Sequence, residues 1–140
     1  MEYIHLLLFI SIISFASTLI KTKRYLKYDE DCYYEAKEKL KDITKEINEQ
    51  DVFNLINIAF ALLLLPSFIY FLLSIFVIKK TTILILAIVY LCEKILRISV
   101  AKNFIKEDNV PYNYAWNVFS FIFNLFFSFN VAYYCMSILF

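Results

Sequence analysis

The chain has 140 residues and a formal net charge of +1, and 61% of its residues are hydrophobic. Soluble domains are about 45–50% apolar, so this composition excludes an ordinary soluble fold and predicts one membrane domain, with the lipid bilayer as its first partner. A net charge near zero, with no basic patch away from the hydrophobic stretches, argues against nucleic-acid binding.

The first hydrophobic stretch, residues 3–20, predicts a transmembrane helix, because about 20 apolar residues cross a bilayer core. No Lys or Arg precedes it and a basic cluster follows it, which favours a retained helix with an outward N-terminus over a cleaved signal peptide. Ser11, Ser14 and Thr18 share one face of this helix. Their hydroxyls are expected either to bond back to their own helix or to contact a neighbouring one.

The polar segment that follows predicts an amphipathic cytoplasmic helix over residues 29–50. Apolar residues recur in it at alternating spacings of three and four, as in helices that pack on other helices. This heptad stripe consists of Tyr33, Ala36, Leu40, Ile43 and Ile47. Residues 29–51 hold nine acidic and four basic residues, and the cytoplasmic leaflet is also negative. The helix is therefore expected to pack on protein, either on its own chain, on another copy or on a protein partner.

The second stretch, residues 53–78, predicts a span that is long enough to tilt in the bilayer. Pro66 lies in its middle and is expected to kink the helix, because proline has no backbone N–H to donate. Ser67, Tyr70 and Ser74 share a face in the second half of this stretch.

The third stretch, residues 81–101, follows after only two residues, so these two spans are expected to form an antiparallel hairpin. It carries Glu93, Lys94 and Arg97, and each charge costs about 2.5–3.5 kcal/mol at the centre of a bilayer. Lys94 is expected to extend toward the cytoplasmic headgroups. Glu93 and Arg97 have the spacing of an intrahelical ion pair. Three interpretations stay open: a buried structural pair, a Glu93 that acts on cations or protons in an aqueous path, and a helix that lies shallow in the membrane.

The fourth stretch, residues 115–140, predicts the last span, and amides and hydroxyls recur along one of its faces. This amide–serine face consists of Asn117, Ser120, Asn124 and Ser128. Polar groups at that depth need hydrogen-bond partners. The face therefore either joins helices, within the chain or between copies, or surrounds a polar pore built from several copies.

Basic residues set the predicted orientation. Counting Lys94 and Arg97, twelve basic residues lie on the side of residues 21–52 and 102–114, and two lie on the side of residues 79–80. The positive-inside rule places the first side in the cytoplasm and both termini outside. The prediction is a multi-pass protein of the cell membrane, plasma or inner.

Catalysis has little support in this sequence. Its one histidine, His5, lies at the outer end of the first stretch, and no glycine is present to build a phosphate-binding loop. No spacing of His, Cys, Asp or Glu suggests a metal site. We predict a protein that is not an enzyme and that uses no metal and no cofactor.

Two functions from different classes fit these features. The first is a homo-oligomeric pore or channel-like effector, lined by Glu93, Arg97 and the amide–serine face, with the cytoplasmic helix as an assembly or gating element. The second is a membrane-resident immunity or accessory protein whose acidic residues 29–51 sequester a toxin or scaffold a larger complex. Self-association is expected in the first case, because an oligomer would hide the polar faces and give the heptad stripe a partner.

Overall fold

The computed structural model describes residues 2–22, 34–35, 37–39, 41–42, 45, 47–107 and 114–140, and these contain helices and no strand. We number the long helices in chain order. They are α1 (Glu2–Ile20), α2 (Glu49–Ile78), α3 (Thr81–Glu107) and α4 (Tyr114–Leu139). The all-α prediction is thereby confirmed.

Three helices are long and apolar enough to cross a membrane: Glu2–Ile20, Gln50–Ile78 and Ala115–Leu139. Helix α3 has 27 residues, a length that also spans a bilayer at about 1.5 Å per residue. The charges of Glu93, Lys94 and Arg97 within its apolar part keep it outside that group by composition. A multi-pass membrane protein is therefore supported with three apolar spans.

The outside of the bundle is apolar along its length. Leu63 of α2 is 64% exposed, Ile85 of α3 57% and Phe129 of α4 60%. A water-soluble protein does not expose so many large hydrophobic side chains in continuous surfaces. These surfaces match the hydrocarbon core of a bilayer.

The long helices form an antiparallel up-and-down bundle, in which α1 packs most extensively against α4 and α2 against α3. The α2–α3 turn is tight because Lys79 adopts a left-handed conformation (φ 50°), and its backbone N–H bonds to the Ile75 carbonyl at 3.3 Å. At this end of the bundle, the Lys80 ammonium lies 4.5 Å from the ring of Tyr134. At the other end, the Lys102 ammonium lies 5.2 Å from the ring of Phe53.

The interior of the bundle has two chemically different halves. Toward the α2–α3 turn it is filled mainly by apolar residues, and the buried hydroxyl of Ser74 there donates to the Tyr70 carbonyl of its own helix. We call the apolar residues of this half, Leu7, Ile78, Ile83, Ala87, Val131 and Cys135, the apolar plug. Toward the other end the buried residues are polar, namely Thr18, Glu93, Ser120 and Asn124. Three rings separate the halves, and we call Tyr70, Tyr90 and Phe127 the aromatic layer. The polar half is thus closed on one side.

The predicted cytoplasmic helix does not extend to residue 50 as a separate element. Glu49 and Gln50 form the first turn of α2, and Asn48 before them has an extended backbone (φ −61°, ψ 140°) that breaks any helix arriving from residue 47. Ile47 lies at a bend and is 39% exposed. The other members of the heptad stripe, Tyr33, Ala36, Leu40 and Ile43, lie outside the described residues.

Helix α2 runs through Pro66 without interruption from Glu49 to Ile78. Proline removes one backbone hydrogen bond to the preceding turn. In a membrane helix, neighbouring helices and side chains can satisfy the carbonyl that this frees. Pro66 borders a polar cavity between the helices.

Candidate functional site

Three charged residues of α3 form one cluster around Glu93, which is 2% exposed. Its Oε1 accepts hydrogen bonds from Arg97 Nε at 3.0 Å and from the Ser120 hydroxyl of α4. Its Oε2 lies 3.1 Å from Lys94 Nζ. We call Glu93, Lys94 and Arg97 the charged cluster. One carboxylate is thus shared between two cations of its own helix and a hydroxyl of its neighbour.

The sequence predicts that Lys94 extends toward the headgroups, whereas in the structure it does not. Its ammonium turns to Glu93 and lies 5.0 Å from the centre of the Tyr90 ring. The side chain is 18% exposed. A buried carboxylate attracts a cation strongly where water is scarce, and the four-carbon stem of lysine is flexible enough to reach an adjacent residue.

The amide–serine face of α4 turns inward, and its members bond to residues of the same chain. Asn117 Oδ1 accepts a hydrogen bond from Arg97 Nη2 at 3.4 Å. The amide of Asn124 donates to the Ser120 carbonyl at 2.6 Å. The hydroxyl of Ser128 donates to that of Ser14 on α1 at 3.0 Å. The contacts of Asn117 and Ser128 join α4 to α3 and α1, whereas the amide of Asn124 bonds within α4.

Ser11, Ser14 and Thr18 of α1 make both of the contacts that the sequence allows, bonds back to their own helix and bonds to neighbouring helices. Ser11 donates to the Leu7 carbonyl at 2.8 Å and accepts a hydrogen bond from the Tyr70 hydroxyl at 3.1 Å. Thr18 donates to the Ser14 carbonyl at 2.8 Å. One serine hydroxyl can therefore donate its proton to a carbonyl of its own helix and accept a hydrogen bond from a neighbouring helix.

A cavity of about 350 Å³ lies among α1, α2, α3 and α4 in the polar half of the bundle. Ile13, Lys21 and Pro66 are exposed at its rim, so it opens between α1 and α2 near the end that carries Lys21. Polar side chains from all four helices line it, namely Ser14, Ser17, Thr18, Lys21, Ser67, Tyr70, Lys94 and Asn124.

The aromatic layer closes the inner end of this cavity. The ring of Tyr70 lies 5.6 Å from that of Tyr90, with their planes near perpendicular, and 5.3 Å from that of Phe127. Tyr90 and Phe127 stack at 4.7 Å. Because Tyr70 and Tyr90 also line the cavity, the floor of the site and its barrier are built from the same side chains.

Sequence reasoning named Glu93, Arg97 and the amide–serine face as site residues, but it missed the cavity, and of those residues Asn124 alone lines it. Ser17 lies on α1 and Lys21 directly follows this helix. In the sequence, Lys21 contributed only to the predicted membrane orientation. A cavity depends on how four helices are rotated against one another, and no periodicity within one helix encodes that rotation. The shared face of Ser67 and Tyr70 was the available signal.

The arrangement offers hydroxyl, amide and ammonium groups around a small volume, and it can hold a polar or ionic solute. Among the described residues, no three His, Cys, Asp or Glu side chains lie together in a way that could hold a metal ion. No protein-family model, curated protein or solved structure matches this chain.

Proposed function

We propose that all four helices cross the bilayer and that the protein changes the permeability of its membrane to a small ion or polar solute, which occupies the cavity inside one bundle. The cavity of about 350 Å³ is the observation that carries this proposal. Polar lining groups inside a membrane bundle are costly unless they are bonded or used. Here several of them are bonded within the protein, and Ser17 and Ser67 face the open volume with no hydrogen-bond partner among the described residues.

Helix α3 has the outer surface of a fourth span. Most of its exposed side chains are apolar, with Ile88 at 47% before the charged cluster, Ile95 at 45% and Leu96 at 52% between its members, and Val100 at 41% after it. The carboxylate of Glu93 faces inward, since its side chain is 1% exposed, and Lys94 (18%) and Arg97 (33%) are partly exposed beside it. The short turn also holds α3 alongside α2, which is one of the three apolar spans. Inward pairing removes most of the cost that a charged span would otherwise carry.

The proposed path lies within one protomer and not between copies. A pore shared by several chains would require the amide–serine face to point away from its own bundle, whereas Ser120, Asn124 and Ser128 are at most 2% exposed. Self-association is not required by this path. It stays a prediction, and the native mass of the protein in nanodiscs measures it directly.

The aromatic layer acts as the barrier in this proposal, because it separates the cavity from the apolar plug. Replacing Phe127 by Ala opens space at the layer, and ion flux into proteoliposomes is expected to rise above that of the wild type. Phe129→Ala is the matched control, since that ring is 60% exposed on the outside of the same helix and its loss leaves the path unchanged.

A second variant guards the flux experiment against misfolding. Phe127→Ala removes a fully buried ring, a change that costs about 3–5 kcal/mol in well-packed cores. Phe127→Leu keeps most of the volume and is expected to raise flux less. If both variants fold and neither differs from Phe129→Ala, the path does not run through the aromatic layer.

The alternative function, a partner-binding protein that uses acidic residues 29–51, also stays a prediction. Charge reversals in that segment would abolish partner capture and leave membrane insertion and flux unchanged. The two functions are therefore separated by which variants alter flux.

A further inference from the structure

The cavity carries positive groups and no carboxylate among the residues that line it. Lys21 reaches it from the end of α1 and Lys94 from the centre of α3. We propose that this cavity binds an anion, a phosphate group or a similar small oxyanion, held by the two ammonium groups. This inference rests on the proposed function, because it names the class of solute that occupies the same cavity.

Charge balance in the bundle supports an anionic ligand. Glu93 is the one carboxylate buried in the described part of the bundle, and it faces both Lys94 and Arg97. Lys21 and Lys94 bring two ammonium groups to the cavity, while the carboxylate beside it is shared within the charged cluster. An anion in this partly enclosed volume would be attracted to both ammonium groups more strongly than in bulk water.

Hydrogen-bond donors at the cavity are also available to a ligand. Among the lining residues, Thr18 and Tyr70 already donate to protein oxygens. Ser17 and Ser67 donate to no side chain or backbone group in the described part of the chain. Hydroxyl and ammonium donors suit the oxygens of a phosphate group, which accept several charge-assisted hydrogen bonds at once.

The phosphate group has two available sources, a free anion from the cytoplasm and the headgroup of a lipid. The rim between α1 and α2 faces the bilayer at Ile13 and Pro66, and Lys21 lies at its polar end. Both sources present the same chemistry to Lys21 and Lys94. The experiment must therefore offer them separately.

The first arm titrates inorganic phosphate into the full-length protein, delipidated in dodecyl maltoside, and measures binding by ³¹P line broadening and calorimetry. The second arm adds phosphatidylglycerol to the same preparation and counts retained lipid by native mass spectrometry. Binding in the first arm assigns a free anion, and binding in the second alone assigns a lipid headgroup. Binding in neither arm overturns the proposal.

The variants test whether the cavity is the site. Lys21→Gln with Lys94→Gln is expected to weaken binding about tenfold or more, since both charged donors to the anion are lost. Ser17→Ala with Ser67→Ala removes hydroxyls that bond to no described residue, so folding is preserved and binding is expected to weaken severalfold. Lys79→Gln, at the opposite end of the bundle, is the matched control. Equal binding by all three variants overturns the assignment.

Flux measured on the same preparations separates this inference from the proposed function. Anion binding without any solute flux would retain the anion site and reject the permeability function. Solute flux without anion binding would retain the permeability function and reject the anion site.

Discussion

The hydroxyl of Tyr70 on α2 lies 3.1 Å from the hydroxyl of Ser11 on α1 and donates a hydrogen bond to it. Ser11 in turn donates to the Leu7 carbonyl at 2.8 Å. The ring of Tyr70 belongs to the aromatic layer, so one side chain both joins two helices through its hydroxyl and closes the cavity with its ring. Its contribution can be divided by removing the hydroxyl alone.

We expect Tyr70→Phe to lower the free energy of unfolding by about 1 kcal/mol, the usual net value of one buried hydrogen bond. Ser11 keeps its bond to the Leu7 carbonyl, so no donor is stranded. The measurement is unfolding by SDS in mixed micelles, followed by circular dichroism. Tyr133→Phe serves as the control, because that side chain is 60% exposed. Equal stability of the two variants would remove the role assigned to the Tyr70 hydroxyl.

The charged cluster predicts a larger effect for Glu93→Gln. Removing the carboxylate leaves Lys94 and Arg97 without their shared counter-charge, and breaking a buried ion pair costs about 3–5 kcal/mol. We expect a loss of about 3 kcal/mol in the same unfolding measurement. Glu93→Gln combined with Arg97→Gln should recover part of it, since fewer charges are then unpaired. If the double variant recovers no stability, Glu93 and Arg97 do not act as a pair. Glu2→Gln is the control for the loss of an exposed carboxylate.

The left-handed conformation of Lys79 predicts a stabilising substitution. A side chain with a Cβ is strained at φ 50°, whereas glycine adopts this region freely. Lys79→Gly is therefore expected to raise the free energy of unfolding by about 0.5–1 kcal/mol. Lys80→Gly is the neighbouring control and should lower it, because it loses the contact with the Tyr134 ring. A destabilising Lys79→Gly would contradict the tight α2–α3 turn.

The proposed fourth span predicts that the two ends of α3 lie on opposite sides of the membrane. In a chain whose native cysteines are replaced by alanine, Lys80→Cys should react with an impermeant maleimide in intact cells. Lys102→Cys should react only after the membrane is permeabilised, because the predicted positive-inside orientation places it in the cytoplasm. Reaction of both cysteines from one side would show that α3 does not cross.

The positions of the helices could be predicted from the hydrophobic pattern, and the ends that depend on polar residues could not. The predicted limits at residues 78 and 81 agree with the ends of α2 and α3 at Ile78 and Thr81, because Lys79 and Lys80 interrupt the apolar run. The other end of α3 extends past residue 101 to Glu107. Backbone hydrogen bonding continues a helix into water, whereas hydropathy marks only the part that lipid covers.

The site was predictable where its residues share one helix. Glu93 and Arg97 were paired from their spacing, and Asn124 and Ser128 were placed on one face. The partners across helices were not predictable, as the bond from Ser128 to Ser14 shows, since it joins residues 114 positions apart. The direction of the Lys94 side chain was predicted wrongly, because a flexible lysine next to a carboxylate can extend either toward the headgroups or toward that carboxylate. The packing of the bundle selects the carboxylate.

The placement of both cations of the charged cluster on α3 has a consequence for biosynthesis. In the proposed four-span arrangement, Glu93 leaves the ribosome ahead of Asn117 and Ser120, so α3 enters the membrane before α4 is there to bond with it. Arg97 and Lys94 lie 3.0 Å and 3.1 Å from the carboxylate and come from the same helix. The helix therefore carries its own counter-charges while it inserts, and α4 needs only to dock against a segment that is already neutralised at its most costly residue.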